Sequence, residues 1–208
     1  MGGASTTPIQ SLKEWTALMN TYIALLRGIN VGGNNKLPMR ELTELLQGLG
    51  LRNVKTYIQS GNVVFQSERT DTQALSQEIG AAIGQRHGFA PHIFILDAQA
   101  LRAALAANPF PEGEADHKSL HLFFLSDAPR NPNLAALEAV KAANERFALI
   151  DKVFYLHAPD GIGRSKLAES VGKGWGVAVT ARNWRTASTM LEMANELATM
   201  NDPRKPNE

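Results

Sequence analysis

The chain has 208 residues, 44% hydrophobic and 20% charged, with a formal net charge of +1 and no cysteine. That balance fits one large or two small globular domains able to bury about 70% of the surface the unfolded chain exposes. It excludes disulfides, cysteine–zinc sites and a cysteine nucleophile, and it suits a reducing, cytoplasmic setting. The near-zero charge offers no bulk attraction for nucleic acid, and no run approaches the ~18 apolar residues of a membrane helix.

The first residues, MGGASTTPIQSLKEWTALMN, lack the basic and long apolar regions of a secretory signal. The patterned fold is expected from Thr21, leaving 1–20 as an N-terminal extension or as sequence upstream of a start at Met19. TYIALLRGI is β-prone and apolar on both faces, the pattern of a central strand. Met39, Leu42, Leu45, Leu46 and Leu49 then form one helical stripe. Pro38 suits the first turn of that helix and Gly48 or Gly50 its end. VKTYIQ and NVVFQS flank Ser60-Gly61 and predict a hairpin of strands 54–59 and 62–67. A second helix follows at TQALSQEIGAAIGQRHG, then the strand HIFIL. Asp97 is placed to cap the helix AQALRAALAAN, which Asn108-Pro109 ends.

PFPEGEADHK is polar and rich in helix breakers, so 110–118 reads as a linker. The order then repeats: strand SLHLFFL, helix NLAALEAVKAAN with Asn131-Pro132 as its start, and strands FALI and VFYLHA around Asp151-Lys152. A short helix SKLAESVGKGW, strand VAVTA and a long helix NWRTASTMLEMANELA complete it. Both halves therefore read β-α-β-β-α-β-α, the ferredoxin-like split pattern plus a trailing helix, with mainly antiparallel sheets each covered on one face. The expected class is α+β, with domains at 21–109 and 119–200 and a polar tail at 201–208.

Four stretches carry candidate chemistry. In RGINVGGNNK, Arg27, Gly28, Asn30, Gly32, Gly33 and Lys36 join a strand to a helix. Glycines allow close backbone approach, and helix starts and cations favour anions. Neither phosphate fingerprint fits, since the glycine spacing is wrong and Gly33 is followed by Asn34, so a plain turn remains open. In GIGRSKL, Arg164, Ser165 and Lys166 repeat that chemistry, with Ser165 alternatively a simple cap. Near the last helix, Arg182 and Asn183 could face a ligand, while Trp184 falls on the core stripe. Gln59, Ser60 and Asn62 at the first hairpin add uncharged hydrogen-bonding groups, or only turn chemistry. His117 and His121 are four apart, but the second lies in a strand, where that spacing does not converge on one ion. No metal site, cofactor, nucleophile or general base is evident.

The stretch YIALLRGINVGGNNKLPMRELTELLQGLGLRNVKTYIQSGNVVF, with NPF, GIGRSKL and TARNWRT further on, closely resembles a bacterial family of uncharacterised proteins, the domain of unknown function 1697 family. The resemblance covers roughly Thr21 to Leu197. It implies a small two-part α+β protein with ferredoxin-like halves and transfers no catalytic residues. Three functions stay open. The first is binding of a phosphorylated or otherwise anionic small molecule, possibly a nucleotide, at the basic loops. The second is a protein-interaction or homodimerisation module. The third, disfavoured by the charge, is single-stranded nucleic-acid binding on an open sheet face, with Tyr22 and Phe65 as stacking groups.

Overall fold

The computed structural model describes residues 19–200; the expectations for 1–18 and for the tail lie outside the described residues. The first half runs β1 (Asn20–Leu26), α1 (Met39–Gly48), β2 (Arg52–Tyr57), β3 (Asn62–Ser67), α2 (Thr72–His87), β4 (Ile93–Asp97) and α3 (Ala98–Ala106). The second runs β5 (Leu120–Leu125), α4 (Leu134–Val140), β6 (Arg146–Ile150), β7 (Val153–His157), α5 (Lys166–Ser170), β8 (Val179–Asn183) and α6 (Trp184–Met200). Each half forms one four-stranded antiparallel sheet, ordered β2-β3-β1-β4 and β6-β7-β5-β8. The repeated α+β element order is thus present in full.

Local chemistry explains most boundaries. The side chains of Asp97, Ser165 and Asn183 accept from the backbone N–H three residues on, at 2.6, 2.9 and 2.8 Å, satisfying donors that a helix start leaves open. The cap of α4 is Asn133 and not Asn131, accepting from Ala136 N at 3.0 Å. Asp151 adopts φ 51°, so β6 and β7 join through the expected two-residue turn. The first hairpin differs: β2 ends at Tyr57 and four residues lead to Asn62. Gly61 (φ 71°) is required there, because a Cβ would sit 2.7 Å from Leu26 Cβ and from Ile29 Cδ1.

The expectation of sheets covered on one face needs correction. One face of the first sheet packs against α1 and α2 through Tyr22, Ala24, Leu26, Val63 and Phe65. Its other face, with Ile23, Leu25, Val64 and Phe94, shares a core with α3, α6 and the inner face of the second sheet. α4 and α5 cover the remaining face through Leu137, Phe154 and Leu167. The order of layers is helix, sheet, helix pair, sheet, helix. β1 and β3 are buried on both sides because both sides are roofed. Tyr22 and Phe65 lie 5.7 Å apart inside the first core and offer no open stacking face.

The halves interlock. Tyr155 OH donates to Ala104 O at 2.6 Å, Gln66 Nε2 to Leu197 O at 3.1 Å, and Arg102 Nη2 to Asn195 Oδ1 at 2.8 Å. The expected linker is itself packed: Phe110 is buried, Pro111–Gly113 forms a 3-10 turn, and Arg146 pairs with Glu112 while lying 5.1 Å above the Phe110 ring.

Candidate functional site

The first glycine loop leaves β1 at the end where β3 and β4 begin. Arg27 N donates to His92 O at 2.9 Å and Leu26 N to Gly61 O at 2.8 Å. Within the loop, polar side chains turn inward. Asn30, at φ 55°, donates through Nδ2 to Leu37 O at 2.9 Å and to Gln59 O at 2.7 Å, and its Oδ1 accepts from Leu37 N at 2.8 Å. Asn35 Nδ2 donates to Gly28 O at 3.0 Å. Gly28, Gly32 and Gly33 all have positive φ. The loop is closed on itself by two asparagines, with Arg27 and Lys36 exposed at its edges. Burial, and secondarily Arg27, lower the His92 pKa.

Arg182 faces the shared core rather than solvent, at 9% exposure. Its Nε donates to Asn62 Oδ1, its Nη1 to Thr180 Oγ1 at 2.9 Å and Ala181 O at 2.7 Å, and its Nη2 to Leu26 O at 2.9 Å and Ser60 O at 3.2 Å. Every guanidinium donor is used, all on neutral acceptors. Desolvation lowers its pKa to about 10, so it remains charged at neutral pH. Asn62 is fully buried and also donates to Tyr57 O and Ser60 Oγ. These two residues fasten the second half to the root of the first loop and have no group left for an external anion.

The second glycine loop has a different geometry. Beyond β7, Ala158 N donates to Ser119 O and Gly161 N to Ala158 O, and Gly161 takes φ 79°. Ile162–Arg164 makes a 3-10 turn, and buried Ser165 caps α5. One side of this loop walls a basin of about 770 Å³, completed by the α4–β6 connection at Val140, Ala142, Asn144 and Glu145. Arg164 and Lys166 are exposed on its rim. The acids of the basin are committed to neutral donors: Glu145 Oε2 accepts from Ala142 N at 2.8 Å and Asp160 Oδ2 from Asn144 Nδ2 at 3.0 Å. Among the described residues, Arg164 and Lys166 form no ion pair. The arrangement sets two exposed cations and two hydrogen-bonded carboxylates around one hollow with a backbone wall, and the cations are the groups free to meet an anion.

A smaller recess of about 260 Å³ abuts the same glycines and is lined by His117, Lys118, His121 and Asn183. His117 and His121 both line this recess, one from before and one from within β5. The backbone bends between them at Ser119, whose Oγ donates to Gly113 O and Asp116 O. Among the described residues, no group of three His, Cys, Asp or Glu side chains could hold a metal.

The structure therefore separates the sequence candidates. Arg27, Gly28, Asn30, Gly32, Gly33, Lys36, Gln59 and Ser60 gather at one end of the first sheet. Arg164, Ser165, Lys166 and Asn183 gather around the second loop. Asn183 follows Arg182 in β8, and the two face opposite sides of the sheet. Sequence reasoning missed Asn144, Glu145, Asp160, Lys118 and His121. For His121 a signal existed: it shares the alternation of Phe123 and Leu125, so a polar group stands where the strand points apolar ones.

Residues 19–155 match the family described as "Protein of unknown function (DUF1697)". The chain belongs to this family. The matched span contains the first loop and ends before the second. Among solved structures, the fold is similar to that of a conserved bacterial protein, SP0830, from Streptococcus pneumoniae. That likeness has 24% identity and a TM-score of 0.62, and covers 85% of this chain and 99% of the other. At that identity it concerns the fold alone. No curated protein matches the chain. No described helix of this family member is long and apolar enough to cross a membrane.

Proposed function

We propose that the protein binds a small anionic molecule, of the phosphorylated or carboxylated kind, in the basin over the second glycine loop, and that it does so in the cytoplasm. The observation that carries this reading is the pair Arg164 and Lys166: two cations on the rim of a 770 Å³ hollow that form no ion pair among the described residues, while Glu145 and Asp160 accept from Ala142 N and Asn144 Nδ2 inside it. Preorganised charge beside a backbone wall is how proteins commonly hold oxyanions. The first loop is the internal control, since its cations flank a structure that satisfies itself.

Thermal shift with inorganic phosphate, sugar phosphates and nucleotides tests the proposal. A ligand binding only the folded state adds about 2.7 kcal/mol at one hundred times its Kd. At least one probe should raise the melting temperature. Arg164→Ala/Lys166→Ala should abolish the rise, and Arg27→Ala/Lys36→Ala should leave it. No shift from any probe, or a shift that survives the first double variant, defeats the reading.

A second reading, self-association, has one observation in its favour. Val31 and Ile58 are 65% and 52% exposed, and the Asn30–Gln59 hydrogen bond brings their loops together. Under that reading sedimentation shows a dimer, and Val31→Asp/Ile58→Asp makes it monomeric.

A further inference from the structure

The two sheets end in four edge strands, β2, β4, β6 and β8. The outward N–H and C=O groups of an edge can pair with another strand, and proteins commonly blunt them. Three of these edges are blunted. β2 carries a bulge between Arg52 and Lys55, with Asn53 at φ 51° and both cations on the strand. In β4 the outward Ile93 O accepts from Ser76 Oγ at 2.8 Å. In β8 the outward Ala181 O accepts from Arg182 Nη1 at 2.7 Å.

β6 has none of these devices. Its register with β7 is unbroken from Arg146 opposite His157 to Ile150 opposite Val153. Phe147, Ala148, Leu149 and Ile150 are uncharged and half-buried. The ladder decides which backbone groups are open. Leu125 N donates to Lys152 O and Ala158 N to Ser119 O, so the even-numbered positions along β7 face β5. Hydrogen-bonding direction alternates along a strand. Val153, Tyr155 and His157 therefore face β6 and bond Ile150, Ala148 and Arg146. The N–H and C=O groups of Phe147 and Leu149 point outward, and among the described residues no hydrogen bond reaches them. Apolar side chains flank this edge on both sides. Phe147 and Leu149 lie at the margin of the core under α4 and α5, and Ala148 and Ile150 at the margin of the shared core.

We infer that two copies of this chain pair through β6, antiparallel about a two-fold axis at Ala148, so that two four-stranded sheets continue as one. In this register the open groups match one to one: Phe147 of each copy exchanges both hydrogen bonds with Leu149 of the other. Ala148, the smallest side chain of the strand, meets its copy at the axis, where opposed residues that exchange no bond come closest. Arg146 falls opposite Ile150 of the other copy, so the cation of the strand does not face its own kind. The half-buried apolar side chains gain cover on both faces. Each copy has one open edge, so pairing closes at two chains and does not run on into a filament. This surface is distinct from the Val31–Ile58 patch and independent of the anion reading.

Sedimentation of the full chain at rising concentration tests it. The mass should climb from that of one chain toward that of two. Leu149→Pro deletes an outward N–H and no bond of the β6–β7 ladder, and should weaken the dimer at least about tenfold. Leu149→Val shortens the same side chain, keeps the N–H and should leave the dimer in place. Four outcomes overturn the inference: a mass that stays that of one chain, a dimer that survives Leu149→Pro, equal weakening by both Leu149 variants, or a dimer lost in Val31→Asp/Ile58→Asp. Amide exchange in the unaltered protein decides the matter if Leu149→Pro fails to fold. On concentration, the amides of Phe147 and Leu149 should slow at least about tenfold, while those of Ala148 and Ile150 are protected throughout. Equal exchange of Phe147 and Leu149 in dilute and concentrated solution overturns the inference.

Discussion

The loop at 27–37 and the loop at 158–166 are both glycine-rich, both carry two exposed cations and both lead into a helix. The first folds back on itself, and the second borders two hollows. The difference lies in the asparagines. Asn30 and Asn35 bond the first loop's backbone groups to one another and to the neighbouring hairpin. The second loop is held by backbone bonds (Ala158 N to Ser119 O, Gly161 N to Ala158 O, Ser165 N to Ile162 O), the Ser165 cap and the Asn144–Asp160 bond, with no side chain tying its own backbone together as Asn30 and Asn35 do. Composition does not tell a corner from a cradle; the accounting of each polar group does.

The sharpest way to break the comparison is at Arg182, on which the first loop's root depends. Arg182→Ala leaves Asn62 Oδ1, Leu26 O and Ser60 O without their donor inside the protein. At roughly 1–3 kcal/mol for each buried group left unpaired, the loss should exceed about 3 kcal/mol. Urea unfolding measures it. A loss below about 1 kcal/mol, the scale of a typical surface change, would mean that Arg182 does not fasten the halves.

The next effect belongs to the second loop's recess. His121 has a folded pKa depressed from 6.5 to about 4. The unfolded chain therefore takes up a proton that the folded ring refuses. Stability is fully present above the unfolded value and falls as pH drops from 6.5 toward 4, by at most about 3 kcal/mol. His92 and His157 are shifted in the same direction, again chiefly by burial, and add to the slope. His121→Leu should flatten that slope and raise stability near neutral pH, because it removes an unpartnered buried nitrogen. Chemical denaturation across this pH range checks both. An unchanged slope would show that the ring titrates normally.

The smallest effect compares the loops directly. Asn30→Ala removes three hydrogen bonds and should cost about 2 kcal/mol at 0.5–1.5 kcal/mol each. Ser165→Ala removes one cap and should cost about 1 kcal/mol. Equal costs would undo the claim that the first loop is the more firmly closed.

Much of the fold was legible in the sequence because it is local. Asp97, Ser165 and the Asp151-Lys152 turn act over three or four residues, and their roles follow from side-chain type. The roofing of both sheet faces depends on α6 returning to the first sheet, over a separation that no periodicity encodes. The one trace was β1, apolar on both faces. Arg182 stood out in the sequence only as a cation that could face a ligand; its fastening role did not, since three of its five acceptors lie 120 to 156 residues away. The candidate site was half legible: glycine and cation pointed to Arg164 and Lys166, but the hydrogen-bonded carboxylates and the recess that His117 and His121 both line are properties of packing.

The placement of α6 also governs the order in which this protein can be completed. Its Met190, Ala194 and Leu197 sit in one core with Ile23, Leu25 and Val64 of the first sheet, and Gln66 reaches across 131 residues to Leu197 O. During synthesis the first half emerges with every strand of its sheet made and one apolar face covered by α3 alone, and it stays so until the second half and its last helix are added. Chains that stall before α6 present that face, the kind of surface that draws chaperones and aggregates in incompletely made proteins. The joint core ties the solubility of the first half to the finishing of the second.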